Sequence, residues 1–323
     1  MKIGNRVFKD SGKTYIMAIL NVTPDSFSDG GKYFKIDDAL KHVEKIVKEG
    51  ADIIDIGGQS TRPGYKPVGY EEEIKRVIPV VEKIKNNFDI PVSVDTFRSD
   101  IAKDAIDAGA DMINDIWGLR YNSGAVGSHD SSEPSFDNII NTEVEEDDTE
   151  HDLNEFFIDS KMADIISRGH VSVCIMHNSL DEYAFDYNNA KKTGNKKTVI
   201  SNNIDKIITE LRGSVHIALS AGISRNRIMV DPGIGFAKDY NMNMASIANL
   251  TMFRKLGFPV LLGTSEKSVI GKTLDLPVGE RLEGTLTTTI LAVLAGCSFI
   301  RVHNVKDNKR AVKMAEEIMK YRL

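Results

Sequence analysis

Eight short apolar runs punctuate the chain, at 15–20, 53–56, 91–95, 112–115, 171–176, 227–230, 259–262 and 299–303. Each is short enough for one buried strand and is followed by polar, turn-forming residues. Between them, apolar positions recur at helical spacing near 37–50, 70–87, 99–108, 155–167, 199–221, 244–256, 282–295 and 305–321. In the first of these stretches Ile36, Ala39, Leu40, Val43, Ile46 and Val47 share one face, and Gly50 ends it as a left-handed cap. Ser99 and Asp100 predict an N-cap for the third. Residues 1–13 read as strand–turn–strand, with Asp10-Ser11-Gly12 as the turn.

Strands alternating with helices call for a parallel sheet covered by helices. Eight such units in 323 residues favour a closed (β/α)8 TIM barrel over an open sheet. No Gly-x-Gly-x-x-Gly follows the first strand, which argues against a dinucleotide-binding sheet. The rhythm carries an internal echo. Gly50-Ala51-Asp52-Ile53-Ile54-Asp55 matches Gly109-Ala110-Asp111-Met112-Ile113-Asn114, and Gly296-Cys297-Ser298-Phe299-Ile300-Arg301 is a looser third copy. Each is a helix-stopping glycine, a short link, a strand and a polar end.

One segment breaks the pattern. Residues 121–154, after the fourth strand, are rich in Ser, Asp and Glu, and predict a disordered acidic insertion within a single barrel domain over 1–323. Between Arg120 and Lys161 there are twelve acids and no Lys or Arg. The net charge of −6 therefore misleads: set those twelve aside and the 41 basic residues outnumber the acids, so the body is mildly basic. That suits an anionic small ligand and lacks the clustered basic face of a nucleic-acid binder. No apolar run reaches the length of a membrane helix, and the first residues are too polar for a signal peptide. Cys174 and Cys297 sit in apolar contexts, as small buried hydrophobes do in a reducing, cytoplasmic compartment.

In such a barrel the carboxyl ends of the strands converge on one mouth. There the sequence places Asn21, Asp55 with the Thr61-Arg62 loop, Asp95, Asn114, His177 or Asn178, Asp231, Lys267, and Arg301 with His303. A single polar strand end is ordinary; eight together are hard to obtain from capping alone. Asp95, Asn114 and Asp231 offer the acceptors and donors of a heterocycle edge, the carboxylates through charge-assisted pairs. Arg62, Lys267, Arg301 and His303 suit phosphate or pyrophosphate. The Asn21 carbonyl oxygen suits a Mg²⁺ that keeps most of its waters and touches phosphate. No Cys/His cluster suggests zinc, and no Gly-x-Ser-x-Gly elbow suggests a serine hydrolase.

Asn21-Val22-Thr23-Pro24-Asp25-Ser26-Phe27-Ser28-Asp29-Gly30-Gly31, Asp55-Ile56-Gly57-Gly58-Gln59-Ser60-Thr61-Arg62-Pro63-Gly64 and Asp231-Pro232-Gly233-Ile234-Gly235-Phe236-Ala237-Lys238 resemble the signatures of dihydropteroate synthase. So do Val94-Asp95-Thr96, Ile113-Asn114-Asp115 and Arg301-Val302-His303. The resemblance covers the chain outside the acidic insertion. It implies a barrel that joins 6-hydroxymethyl-7,8-dihydropterin pyrophosphate to p-aminobenzoate, releasing pyrophosphate and making 7,8-dihydropteroate for folate synthesis. It implies that Asp95, Asn114, Asp231, Phe236 and Lys267 hold the pterin. Asn21, Thr61, Arg301, Val302 and His303 would hold the pyrophosphate, with Asn21 on Mg²⁺. Phe27, Thr61, Arg62, Pro63 and Ser268 would form the p-aminobenzoate pocket, where sulfonamides compete. Asp95, Lys267, Arg301 and His303 would carry the catalysis, and the apolar last two helices suggest a homodimer.

Three positions depart from that family: Glu266 stands where Arg is usual, Gln59 where Glu is common, and Asn304 where Asp usually follows the His. A carboxylate at 266 facing the mouth would repel an anion. Two other readings therefore stay open. One is a pterin domain of a methyltetrahydrofolate-dependent methyltransferase, which needs neither the Ser-Thr-Arg-Pro loop nor the Arg-Val-His strand end. The other is a non-catalytic pterin-binding barrel.

Overall fold

The computed structural model describes residues 1–9, 12–22, 36–59, 68–121, 160–179 and 182–322. Its centre is an eight-stranded parallel sheet of β3 (Tyr15–Asn21), β4 (Ile53–Gly57), β5 (Val92–Asp95), β6 (Met112–Asp115), β7 (Ser172–Met176), β8 (Ile228–Asp231), β9 (Leu261–Leu262) and β10 (Phe299–Val302). Neighbours in sequence are neighbours in space, and β10 pairs with β3. The ring closes between β8 and β9 through a parallel bridge from Val230 to Val260, with Val230 N donating to Pro259 O at 3.0 Å. The result is the barrel that the alternation predicts.

Side chains alternate between the two faces of each strand. One face, with Ile16, Ala18, Leu20, Ile54, Ile56, Val94, Ile113, Val173, Val230 and Ile300, packs against the helices. The other fills the barrel with Met17, Ile53, Met112, Cys174, Met229, Leu261 and Phe299. A hairpin of β1 (Lys2–Ile3) and β2 (Arg6–Val7) closes the amino end of the barrel, where Ile3 and Phe8 join the same cluster. Phe8 stacks edge-on against Tyr15 at 4.8 Å. One end of the barrel is thus plugged with hydrocarbon. Two residues further along five of the strands, on the same inward face, stand Asp55, Asp95, Asn114, Asp231 and Arg301, so polar chemistry begins where the plug stops.

The helices are α1 (Ile36–Glu49), α2 (Tyr70–Asn87), α3 (Ser99–Asp107), α4 (Lys161–Gly169), α5 (Tyr187–Lys192), α6 (Lys196–Ser220), α7 (Tyr240–Ala248), α8 (Leu250–Phe253), α9 (Ser268–Leu274), α10 (Leu282–Ala295) and α11 (Val305–Met319). The echo glycines earn their place: Gly50, Gly109 and Gly296 all have φ between 78° and 103°, where a side chain is disfavoured. Asn304 caps α11 by accepting from Asp307 N at 3.0 Å, a task Asp and Asn perform about equally.

Several elements differ from the sequence reading. The hairpin turns at Gly4-Asn5, with Gly4 at φ 54°, and not at Asp10-Ser11-Gly12. Arg98, not Ser99 or Asp100, is the N-cap of α3, and its side chain makes no capping bond. The stretch read as one helix over 244–256 is α7, α8 and a 3-10 turn at Arg254–Leu256, broken at Asn249. The short helices α5 and α9 fall in stretches read as loops. The acidic insertion at 121–154 lies outside the described residues, apart from its first residue, Tyr121.

Candidate active site

Arg301 dominates one wall of the mouth. It rises from β10 and crosses the barrel, donating from Nε to Asp55 Oδ2 and from Nη2 to Asp95 Oδ2, both at 2.6 Å. Asn114 Nδ2 donates to the same Asp55 oxygen at 3.3 Å. Register explains the grouping: Asp95 lies opposite Asn114 on the adjacent strand, and Asp55 sits beside them on β4. Both carboxylates are buried, and each keeps one oxygen, Oδ1, without a protein partner. Buried acceptors are rarely left bare without a reason. Burial pushes the Asp95 carboxyl up to about 7; Arg301 pulls the other way, and Asp55 adds to the rise. Burial also works against the Arg301 charge, but Asp55 and Asp95 outweigh it and hold the guanidinium above its usual range.

The opposite wall is built on the turn after β8. Asp231 Oδ1 accepts from Gly233 N at 2.7 Å, and burial raises its pKa despite Lys267. Lys267 Nζ donates to Ile234 O and lies 4.8 Å from the centre of the Phe236 ring. Burial lowers its pKa to about 8, with Asp231 opposing. A Cβ on Gly263 would lie 3.8 Å from Asp231 Oδ2 and 3.9 Å from Lys267 Nζ, so the two charges flank that bare strand end. Asp95, Asn114, Asp231, Phe236, Lys267 and Arg301 thus gather as the sequence reading expects.

His303 sits at the rim. Its backbone N–H donates to Ser265 Oγ at 3.2 Å, and Ser265 Oγ lies 3.0 Å from His303 Nδ1. Asn21 ends β3, half-buried, with its amide oxygen near Gly57. Val302 faces the other way, into the layer between barrel and helices, so it can offer a ligand only backbone. Ser268 is exposed, at the first turn of α9 beside Lys267. Phe27, Thr61, Arg62 and Pro63 lie outside the described residues.

Glu266 points away from the mouth. Its φ is 61°, its Oε2 accepts from Gly279 N at 2.7 Å, and its carbonyl accepts from Arg281 Nη1 at 2.7 Å. The charge reversal therefore costs the site little. Glu266→Arg is expected to leave turnover within about twofold and to cost about 1 kcal/mol or less through the lost bond to Gly279. Steady-state assay and thermal unfolding check both; a severalfold gain in turnover would show that Glu266 does repel the substrate. Gln59 uses its Oε1 to accept from Val68 N at 3.3 Å, which a Glu would do equally.

The fifth strand end does not join the mouth. His177 is buried against Glu210 of α6 and Lys238, and Asn178 Oδ1 accepts from Ser179 N at 3.0 Å. Sequence reasoning also missed Asp55 as the partner of Arg301, and it missed Glu73. That carboxylate is wholly buried on α2, bonded to Thr96 Oγ1 at 3.0 Å and paired with Arg98, beneath the end of β5. A signal existed: Glu73 occupies the apolar stripe of Val77, Val80, Val81 and Ile84.

Among the described residues no three His, Cys, Asp or Glu side chains are grouped to hold a metal ion. The described mouth carries three carboxylates, Asp55, Asp95 and Asp231, against two cations, Arg301 and Lys267. A pyrophosphate there needs further positive charge. The single oxygen of Asn21 fits a Mg²⁺ ligated mainly by phosphate and water.

The profile of the pterin binding enzyme family matches residues 17–133 and 134–303. A dihydropteroate synthase of Clostridium beijerinckii is 42% identical over 321 residues, 99% of this chain and 100% of the relative. The crystal structure of a dihydropteroate synthase from Clostridium difficile, in the presence of pteroic acid, superposes with a TM-score of 0.73 at 38% identity, covering 100% of both chains. The Yersinia pestis dihydropteroate synthase in a sulfonamide complex gives a TM-score of 0.76 at 29% identity, covering 100% of this chain and 99% of that one.

Proposed function

This chain belongs to the dihydropteroate synthase family of pterin binding enzymes, and on that premise we propose how its barrel mouth serves the reaction. The enzyme condenses 6-hydroxymethyl-7,8-dihydropterin pyrophosphate with p-aminobenzoate to give 7,8-dihydropteroate and pyrophosphate. The observation that carries the assignment of roles is the bare, buried Asp95 Oδ1, on the strand position opposite Asn114. A fused aminopyrimidinone presents adjacent N–H donors and ring acceptors. Asp95 and Asp231 accept from the former, while Asn114 and Lys267 donate to the latter. The Phe236 ring and the Arg301 guanidinium supply flat surfaces for the bicycle.

In the reaction, the bond from the exocyclic CH₂ to the pyrophosphate oxygen breaks and a C–N bond to the arylamine forms. The amine then loses a proton to solvent or to the leaving anion. The electron-rich pterin stabilises the developing cation, so no covalent enzyme intermediate is needed. The protein's work is placement and charge. Arg301 commits two of its five N–H groups to Asp55 and Asp95, and the rest can meet the leaving group beside the His303 ring. Asn21 would hold Mg²⁺ through its amide oxygen, and the bound ion neutralises charge on pyrophosphate. Phe27, Thr61, Arg62, Pro63 and Ser268 complete the reading as the p-aminobenzoate pocket, where sulfonamides would compete. The relatives' activity removes support from the methyltransferase reading, and the outward Glu266 removes it from the non-catalytic one.

The two shifted groups set a pH window for pterin binding. As pH falls through about 7, Asp95 gains a proton and stops being a charged acceptor. As pH rises through about 8, Lys267 loses its charge. Affinity for the dihydropterin pyrophosphate is expected to peak between these values and fall on both sides. Calorimetric titration tests this, with Asp95→Asn losing the acid limb. Constant affinity from about pH 5.5 to about pH 9 would contradict the assignment.

Two further features complete the proposal. The outer faces of α10 and α11 expose Ile290, Leu291, Leu294, Met314 and Ile318, which supports a homodimer through these helices. Both cysteines are free and buried, which supports a cytoplasmic location. Among the described residues no helix is long and apolar enough to cross a membrane.

A further inference from the structure

Beneath the turn that follows β8 lies a buried polar cluster that none of the roles above uses. Lys238 is its centre, 7% exposed. Its Nζ lies 2.8 Å from His177 Nδ1, 3.1 Å from Gly233 O and 3.1 Å from Phe236 O. Burial lowers its pKa to about 7, and in the charged form its three hydrogens match these three contacts. His177 Nδ1 must then accept. The ring proton sits on Nε2 and goes to Glu210 Oε2, 3.0 Å away on α6. Glu210 in turn accepts from Tyr183 and lies 3.8 Å from Arg120, which follows β6. The cluster ties the ends of three strands to one long helix.

Its working end is the turn 232–237. Lys238 draws in the carbonyls of Gly233 and Phe236 from below, while Lys267 holds Ile234 O from the mouth. Gly233 has φ 69°, and a Cβ there would lie 1.9 Å from His177 O, so the turn rests directly on the end of β7. The same turn supplies the Gly233 N–H that aims the Asp231 carboxylate, and it carries the Phe236 ring. Moving these carbonyls moves both.

We propose that Lys238 is a positioning residue for the pterin, braced by His177 and Glu210, and that it acts by fixing the turn that presents Asp231, Phe236 and Lys267. This rests on the pterin reading of the mouth. Its signature is selective: pterin affinity falls, while p-aminobenzoate, approaching from the loops after β3 and β4, is bound as before.

The test titrates wild type, Lys238→Met and Glu210→Gln with 6-hydroxymethyl-7,8-dihydropterin pyrophosphate. Steady-state kinetics for both substrates and thermal unfolding accompany the titrations. Lys238→Met is expected to weaken pterin binding at least about tenfold, with the KM for p-aminobenzoate changed by less than about twofold. Glu210→Gln keeps an acceptor for His177 and removes the charge, so it should shift pterin binding about two- to fivefold in the same direction. A folded Lys238→Met with pterin affinity within about twofold of wild type overturns the proposal. So does an equal loss for both substrates. If Lys238→Met does not fold, Glu210→Gln decides, and unchanged pterin affinity there is the overturning result. Wild type failing to bind the pterin substrate would overturn the pterin reading itself, and this proposal with it.

Discussion

Arg301→Met is expected to lower the stability of the fold by about 3 kcal/mol or more and to leave no measurable turnover. The guanidinium is the partner of two buried carboxylates, Asp55 and Asp95, at 2.6 Å each. Removing it leaves both uncompensated in a barrel whose floor is hydrocarbon. The pH dependence gives the cause away. The Asp95 carboxyl is already raised by burial, and without Arg301 the cation that opposes the rise is gone. A carboxyl whose folded pKa lies above its unfolded value favours folding at low pH and loses that contribution as pH rises through the folded pKa. In Arg301→Met that pKa lies above about 7, so the deficit should be largest at alkaline pH and shrink as pH falls toward 7. Denaturant unfolding at several pH values checks this. Arg301→Lys should recover part of the stability but little activity, because an ammonium cannot span both carboxylates with a planar fork.

Asp95→Ala is expected to lose about three orders of magnitude in kcat/KM, or about 4 kcal/mol of transition-state stabilisation. Two contacts vanish together. On the proposed binding mode Oδ1 no longer accepts from the pterin, and Oδ2 no longer steadies Arg301. A site built to pair a substrate N–H discriminates strongly when that pair is lost. Stability should move little, within about 1 kcal/mol, since the change also removes a buried carboxylate that is costly to ionise. Loss of activity without loss of fold separates this variant from Arg301→Met. Near wild-type turnover would remove Asp95 from the site.

Much of this was legible in the chain because strand alternation has period two. Met17, Ile53, Met112, Met229 and Phe299 are followed two residues later by Ile19, Asp55, Asn114, Asp231 and Arg301. The change from apolar to mostly polar on one face marks where the plug ends and the mouth begins. The same parity explains two residues that fell elsewhere. Cys174 and Met176 face inward, so His177 alternates toward α6; Arg301 faces inward, so Val302 does not. Position at a strand end states the height in the barrel, and parity states the side.

What stayed hidden depends on contacts between distant parts of the chain or on loops without periodicity. Asp55 and Arg301 are 246 residues apart, and only closure of the ring brings them together. Glu266 adopts a left-handed backbone conformation in a turn, which no pattern of apolar positions foretells. Composition places the hairpin turn at Asp10-Ser11-Gly12, yet Gly4-Asn5 is where Phe8 can return to cover the barrel floor. Lys238 stood within a recognised motif, but its value lies in three acceptors supplied by folding.

The most direct test incubates the purified chain with 6-hydroxymethyl-7,8-dihydropterin pyrophosphate, p-aminobenzoate and Mg²⁺, and follows pyrophosphate and 7,8-dihydropteroate together. Equal amounts of the two products, formed only when both substrates are present and lost in Asp95→Ala, are the predicted result. Tight binding of the pterin substrate with no dihydropteroate formed, or pyrophosphate released without p-aminobenzoate incorporated, would contradict it.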